Sequence, residues 1–95
     1  MPAYVVVDIQ VHDPEGYEEY KRLAPPSIAA HGGRYLARGG RTDVLEGDWS
    51  PSRLVILQFD DLDQARKWLH SAEYGAARAL RHKTATTSMV VIEGM

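Results

Sequence analysis

The residues best equipped for chemistry crowd into His31-Gly32-Gly33-Arg34-Tyr35, Arg38-Gly39-Gly40 and Glu46-Gly47-Asp48-Trp49. His31 could carry a proton near neutral pH, because an unperturbed imidazole titrates at about 6.5. Arg38 could hold a substrate carboxylate or an enolate oxygen through its planar guanidinium. Glu46 could orient that arginine or move a proton itself. Each also has a purely structural reading. His31 can be the cation at a helix C-terminus. If the chain turns back symmetrically about Thr42, Arg38 faces Glu46 and Leu36 faces Asp48, and the ion pair is worth about 0.2 to 1 kcal/mol.

A second stretch runs from Trp68 to Tyr74 and on to Arg81. On a helix Tyr74 and Arg78 are four apart and Arg81 lies one turn further, so all three can point toward one cleft. There they could orient an oxygenated aromatic ligand or only hydrogen-bond across a helix junction. Trp68 falls on an apolar stripe, where it can be core or the wall of a pocket. Tyr17 and Tyr20 share the inward face of an earlier helix, and Tyr20, further from the helix start, is the pocket candidate. Candidate catalytic residues are therefore His31, Arg38 and Glu46, and candidate ligand-binding residues are Tyr20, Trp68, Tyr74 and Arg81.

Other chemistries lack their residues. The chain has no cysteine and its four histidines are scattered, so neither a thiolate nucleophile nor a zinc site is expected. The glycine pairs have neither Rossmann nor Walker spacing, and no cofactor is expected. Eleven Lys and Arg against thirteen Asp and Glu give a net charge of −2, which offers nucleic acid no attractive field. Arg78, Arg81, His82 and Lys83 read as the basic last turn of a helix. With no apolar run of membrane-spanning length and no signal-peptide pattern, a cytoplasmic protein is expected.

The elements that must position these residues are legible from periodicity. Residues 3–11 alternate, with Val5, Val7, Ile9 and Val11 on one face and Tyr4, Val6, Asp8 and Gln10 on the other, as in a strand. Asp13-Pro14-Glu15 opens a helix carrying Tyr17, Tyr20, Leu23, Ala24 and Ile28, and Pro25-Pro26 predicts a break in it. Residues 34–39 read as a strand and 44–48 as its return. Residues 53–60 form a third strand with apolar residues on both faces. Asp61-Leu62-Asp63-Gln64 is a capping box, and Ser71 caps the helix a second time before it runs on to about His82. Residues 86–93 close the chain as a strand.

The order is β-α-β-β-α-β, the split arrangement of ferredoxin-like α+β folds, in a single domain over residues 1–95. A chain of this length buries only roughly two-thirds of its unfolded surface. The half-polar second face of the first strand is therefore the expected dimer surface.

At this point the chain resembles the domain of unknown function 1330 family of small dimeric α/β-barrel proteins. The resemblance spans Tyr4 to Gly94. It rests on the blocks beginning at His31, Arg38 and Glu46, together with Phe59, Ala65 and Trp68, Ser71 and Tyr74, Arg81, and the closing Glu93-Gly94. It implies two ferredoxin-like subunits whose antiparallel sheets pack face to face. The wider superfamily includes cofactor-free monooxygenases, isomerases, polyketide cyclases and haem-degrading enzymes, and the family itself implies no catalytic residue. The expected function is a homodimer that binds or converts a small oxygenated or aromatic metabolite. The alternative is a non-enzymatic ligand sensor or structural dimer module. RNA binding is disfavoured, because the third strand lacks the aromatic consensus of an RNA-recognition motif.

Overall fold

The structure, a computed structural model, describes all 95 residues. Seven elements follow in order: β1 (Ala3–Val11), α1 (Pro14–Ala30), β2 (Arg34–Arg38), β3 (Leu54–Phe59), α2 (Leu62–Leu69), α3 (Ala72–Thr84) and β4 (Ala85–Glu93). The strands form one sheet in the order β2-β3-β1-β4, with every neighbouring pair antiparallel. This is the ferredoxin-like arrangement. The second crossover helix is divided in two, α2 ending at His70 and α3 starting afresh from Ser71.

Local chemistry sets the helix starts as expected. Asp13 accepts from the Gly16 amide, Asp61 from the Gln64 amide at 2.8 Å and Ser71 from the Tyr74 amide. Each satisfies an amide that the first helical turn leaves without a partner. Between α1 and β2 the chain turns at Gly32, whose φ of 72° suits glycine. Gly33 then passes so close to the core that a Cβ there would lie 2.5 Å from Phe59.

The alternation in the strands decides which face is covered. Val5, Val7 and Ile9 of β1 and Val55, Leu57 and Phe59 of β3 are buried beneath the helices with Tyr17, Tyr20, Ile28, Trp68 and Tyr74. The opposite face carries no helix. Across it Ile56, Val6 and Val90 form one row, and Gln58, Tyr4 and Ile92 the next. Val90 and Ile92 remain 63% and 61% exposed.

Two expectations are corrected. Helix α1 does not break at Pro25-Pro26 but continues to Ala30. Pro25 has no N–H to give the Lys21 carbonyl, yet that oxygen receives Nη2 of Arg38 at 2.8 Å, a tertiary substitute for the missing helix bond. Residues 44–48 form no strand. Strand β2 pairs with β3 instead, from Arg34 opposite Gln58 to Arg38 opposite Val55, with a register shift between Tyr35 and Ala37. The hairpin about Thr42 is therefore absent, and neither Arg38 with Glu46 nor Leu36 with Asp48 forms a ladder pair. The intervening arm is anchored elsewhere. Trp49 Nε1 donates to Asp8 Oδ2 at 2.9 Å, and the Ser52 amide donates to Asp8 Oδ1 at 3.1 Å.

Candidate functional site

A cleft opens between α1 and the helix-covered face of the sheet. Tyr17, Tyr20, Lys21 and Ile28 reach it from α1, Tyr35 and Arg38 from β2, and Trp68 from α2; Arg53, just before β3, completes its charged rim. Val7, Ile9, Val55, Leu57 and Met89 form its floor. The cavity within it is only about 20 Å³, room for roughly one water. The lining is aromatic and aliphatic, its three charged residues are all cations, and it contains no carboxylate.

The cationic groups lie against rings. The Arg38 guanidinium stands 4.5 Å from the Tyr35 ring centre, and that of Arg53 5.7 Å from the Tyr17 ring centre. Both distances fall within cation–π range. Arg53 Nε is buried without a hydrogen-bond partner.

Behind the cleft the aromatic cluster becomes polar. The hydroxyls of Tyr20 and Tyr74 meet at 2.7 Å, and Arg81 Nε donates to the Tyr74 hydroxyl at 3.2 Å. Arg81 is only 3% exposed, and its Nη1 donates to Thr87 Oγ1. Trp68 packs on Tyr74 with ring centres 4.2 Å apart and donates Nε1 to Ser27 Oγ at 3.2 Å. Burial, followed by the neighbouring Tyr74 hydroxyl, pushes the Tyr20 phenol far above the ordinary tyrosine range. Burial also raises Tyr17 and Tyr35, with Arg53 opposing the rise at Tyr17 and Arg38 at Tyr35.

The expected ligand-binding residues thus come together. Tyr20 and Trp68 line the cleft, and Tyr74 and Arg81 back it. Of the expected catalytic residues only Arg38 lines the cleft. His31 caps α1 and donates Nδ1 to the Ser27 carbonyl at 3.0 Å, and Glu46 is exposed on the arm. Neither belongs to the lining, and Arg38 makes no ion pair with Glu46. Arg53 was missed by sequence reasoning, although the alternation that buries Val55 and Leu57 puts it on the same face. No group of three His, Cys, Asp or Glu side chains is placed to hold a metal ion, and no helix is long and apolar enough to cross a membrane.

Solved structures with this fold resemble the chain closely in shape and little in sequence. A protein of unknown function from Rhodopseudomonas palustris superposes with a TM-score of 0.77 at 15% identity, covering 99% of this chain and 82% of its own. SnoaB, a cofactor-independent oxygenase from Streptomyces nogalater, gives 0.67 at 13% identity, covering 99% and 93%. A dimeric protein of unknown function and ferredoxin-like fold from Bacteroides fragilis gives 0.61 at 17%, covering 98% and 96%. At such identities the likeness establishes the fold alone. No curated protein matches the chain. The model of the domain of unknown function DUF1330 matches residues 2–95, and the chain belongs to that family.

Proposed function

We propose that the protein is a homodimer in which each subunit binds or converts a small oxygenated or aromatic metabolite in the cleft between sheet and helices. One observation carries this reading: two guanidinium groups without carboxylate partners, Arg38 and Arg53, converge on a cleft walled by Tyr17, Tyr35 and Trp68, while the nearby Lys21 is paired with Glu18. A cluster built for stability alone would pair its arginines with carboxylates. Such cationic and aromatic surroundings suit an apolar ring bearing an oxygen or a negative charge.

Within this reading Arg38 and Arg53 hold the ligand's oxygens, Trp68 and Tyr35 flank its ring, and Tyr20 meets its inner end. Glu46, on the arm that Trp49 and Ser52 tie to Asp8, and His31, bonded to the Ser27 carbonyl, take no part in this reading. The chemistry most compatible with these groups is an isomerisation, a cyclisation or a cofactor-free oxygenation like that of SnoaB. The bare sheet face with Val6, Ile56, Val90 and Ile92 supports the dimer, and the Bacteroides fragilis neighbour is itself described as dimeric.

The small enclosed volume favours a second reading, in which the cleft is closed at rest and the protein is a ligand sensor or a structural dimer module. Native mass spectrometry of gently purified protein tests both. The expected result is a dimer with a retained small molecule. An empty dimer that turns over no aromatic carboxylate favours the second reading, and a monomer overturns the assembly.

A further inference from the structure

The buried tyrosine pair contains one hydroxyl hydrogen more than the protein uses. A guanidinium has donors and no acceptor, so the contact between Arg81 Nε and the Tyr74 oxygen has a fixed direction. Tyr74 accepts there, and its own hydrogen needs another oxygen. The Tyr20 hydroxyl at 2.7 Å is its one remaining partner. With Tyr74 as the donor to Tyr20, the hydrogen and the oxygen of the more deeply buried hydroxyl are both satisfied. The reverse arrangement would leave the Tyr74 hydrogen buried and unpaired. The hydrogen on Tyr20 is left over, and Tyr20, unlike Tyr74, lines the cleft.

We propose that Tyr20 presents this hydrogen to the cleft to bind an acceptor oxygen of an anionic aromatic ligand, with Tyr74 and Arg81 as the residues that position it. The inference rests on the cleft being a ligand site. A second unused donor specifies the other end of the ligand: Arg53 lines the same cleft and its Nε is buried without a partner. The matching molecule has a carboxylate for Arg53, a flat apolar body for Tyr35 and Trp68, and a carbonyl or phenol oxygen for Tyr20. The chain Arg81 to Tyr74 to Tyr20 begins at a charged donor, which polarises each following O–H and strengthens the last. Burial keeps the phenol protonated, so the donor persists through neutral pH. Entry of a ring requires the mouth to widen. Arg38, exposed at the mouth, moves with the entering carboxylate, which it shares with Arg53.

Two probes separate the parts of the proposal: 4-acetylbenzoate, with a carboxylate and an acceptor oxygen, and 4-isopropylbenzoate, of the same shape without that oxygen. Calorimetry on the full chain is expected to show preference for the acetyl compound by roughly five- to tenfold, the worth of one buried hydrogen bond. In Tyr20→Phe both probes bind and the preference disappears. The ketone stretching band of the bound probe shifts to lower frequency in the parent protein, shifts less in Tyr74→Phe, and does not shift in Tyr20→Phe. Equal binding of the two probes, or a preference that survives Tyr20→Phe, overturns the role of Tyr20 and leaves the cleft reading intact. If neither probe binds the folded protein, both fall. If Tyr20→Phe does not fold, Tyr74→Phe decides: a band as strongly shifted as in the parent overturns the proposal.

Discussion

Arg38 donates to the one carbonyl in α1 that Pro25 leaves without its helical partner, the oxygen of Lys21. A residue expected to serve a ligand therefore also stabilises the helix wall of the cleft. Its guanidinium joins β2 to α1 across the mouth while stacking on Tyr35. Binding an anion there would draw Arg38 between two partners, one in the backbone and one in the ligand.

Arg38→Met is expected to lower stability by about 1 kcal/mol, the net value of one hydrogen bond, and to abolish binding of aromatic carboxylates. Adding Pro25→Ala supplies Lys21 with a backbone donor. In that background the stability loss on Arg38→Met should shrink, as measured by urea denaturation of all four variants, while binding stays lost. A loss of equal size in both backgrounds would separate Arg38 from the proline.

Removing the hydroxyl of Tyr74 should destabilise more than removing that of Tyr20. Tyr74→Phe leaves a buried guanidinium N–H without its acceptor, at a cost of about 1.5 to 3 kcal/mol. Tyr20→Phe leaves only a neutral hydroxyl hydrogen unpaired, at about 1 kcal/mol. Chemical denaturation of the two single variants measures the order, and the reverse order would contradict the bond from Arg81 to Tyr74.

If the proposed dimer forms through the uncovered sheet face, Val90→Asp should leave a folded monomer. Val90 lies beside Val6 on the bare sheet face, and a carboxylate there would be buried unpaired in a sheet-on-sheet interface. Analytical ultracentrifugation reads the mass and circular dichroism the fold. A dimer that survives the substitution places the interface elsewhere.

Stability should fall at high pH. The Tyr20 phenol is held above its ordinary value of 10.0 by burial first and by Tyr74 second, and Tyr17 and Tyr35 move in the same direction. Below about pH 10 native and unfolded chains are both protonated at these groups, and the contribution is complete. As the pH rises past 10 the unfolded chain releases protons that the native state retains, so unfolding becomes progressively more favourable. Tyr20→Phe should flatten that decline in denaturation curves recorded across the alkaline range.

The parts of the fold written in short-range periodicity were legible, and those that depend on meetings between distant elements were not. The alternation of Val5, Val7 and Ile9 and the caps at Asp61 and Ser71 are local, and each element formed where they placed it. The continuation of α1 through Pro25-Pro26 was hidden because the compensating donor belongs to β2. Residues 44–48 read as a strand because nothing local reveals that β3 takes the ladder of β2 and that Asp8 holds Trp49. The seven-residue spacing of Tyr74 and Arg81 placed them on one helix face. Their union with Tyr20 required the packing of α1 on α3, which no spacing within either helix encodes.

The pairing of β1 with β4 runs from Ala3 opposite Glu93 to Val11 opposite Ala85, joining the first strand to the last along its whole length. During synthesis β1 can take β3 on one side while its other edge waits for nearly the entire chain to emerge. Through that interval an apolar strand offers unpaired amides and carbonyls to any neighbouring nascent chain. The vulnerable moment for this protein on the ribosome is thus the time before its final strand docks, and slow translation of the α3 codons would lengthen it.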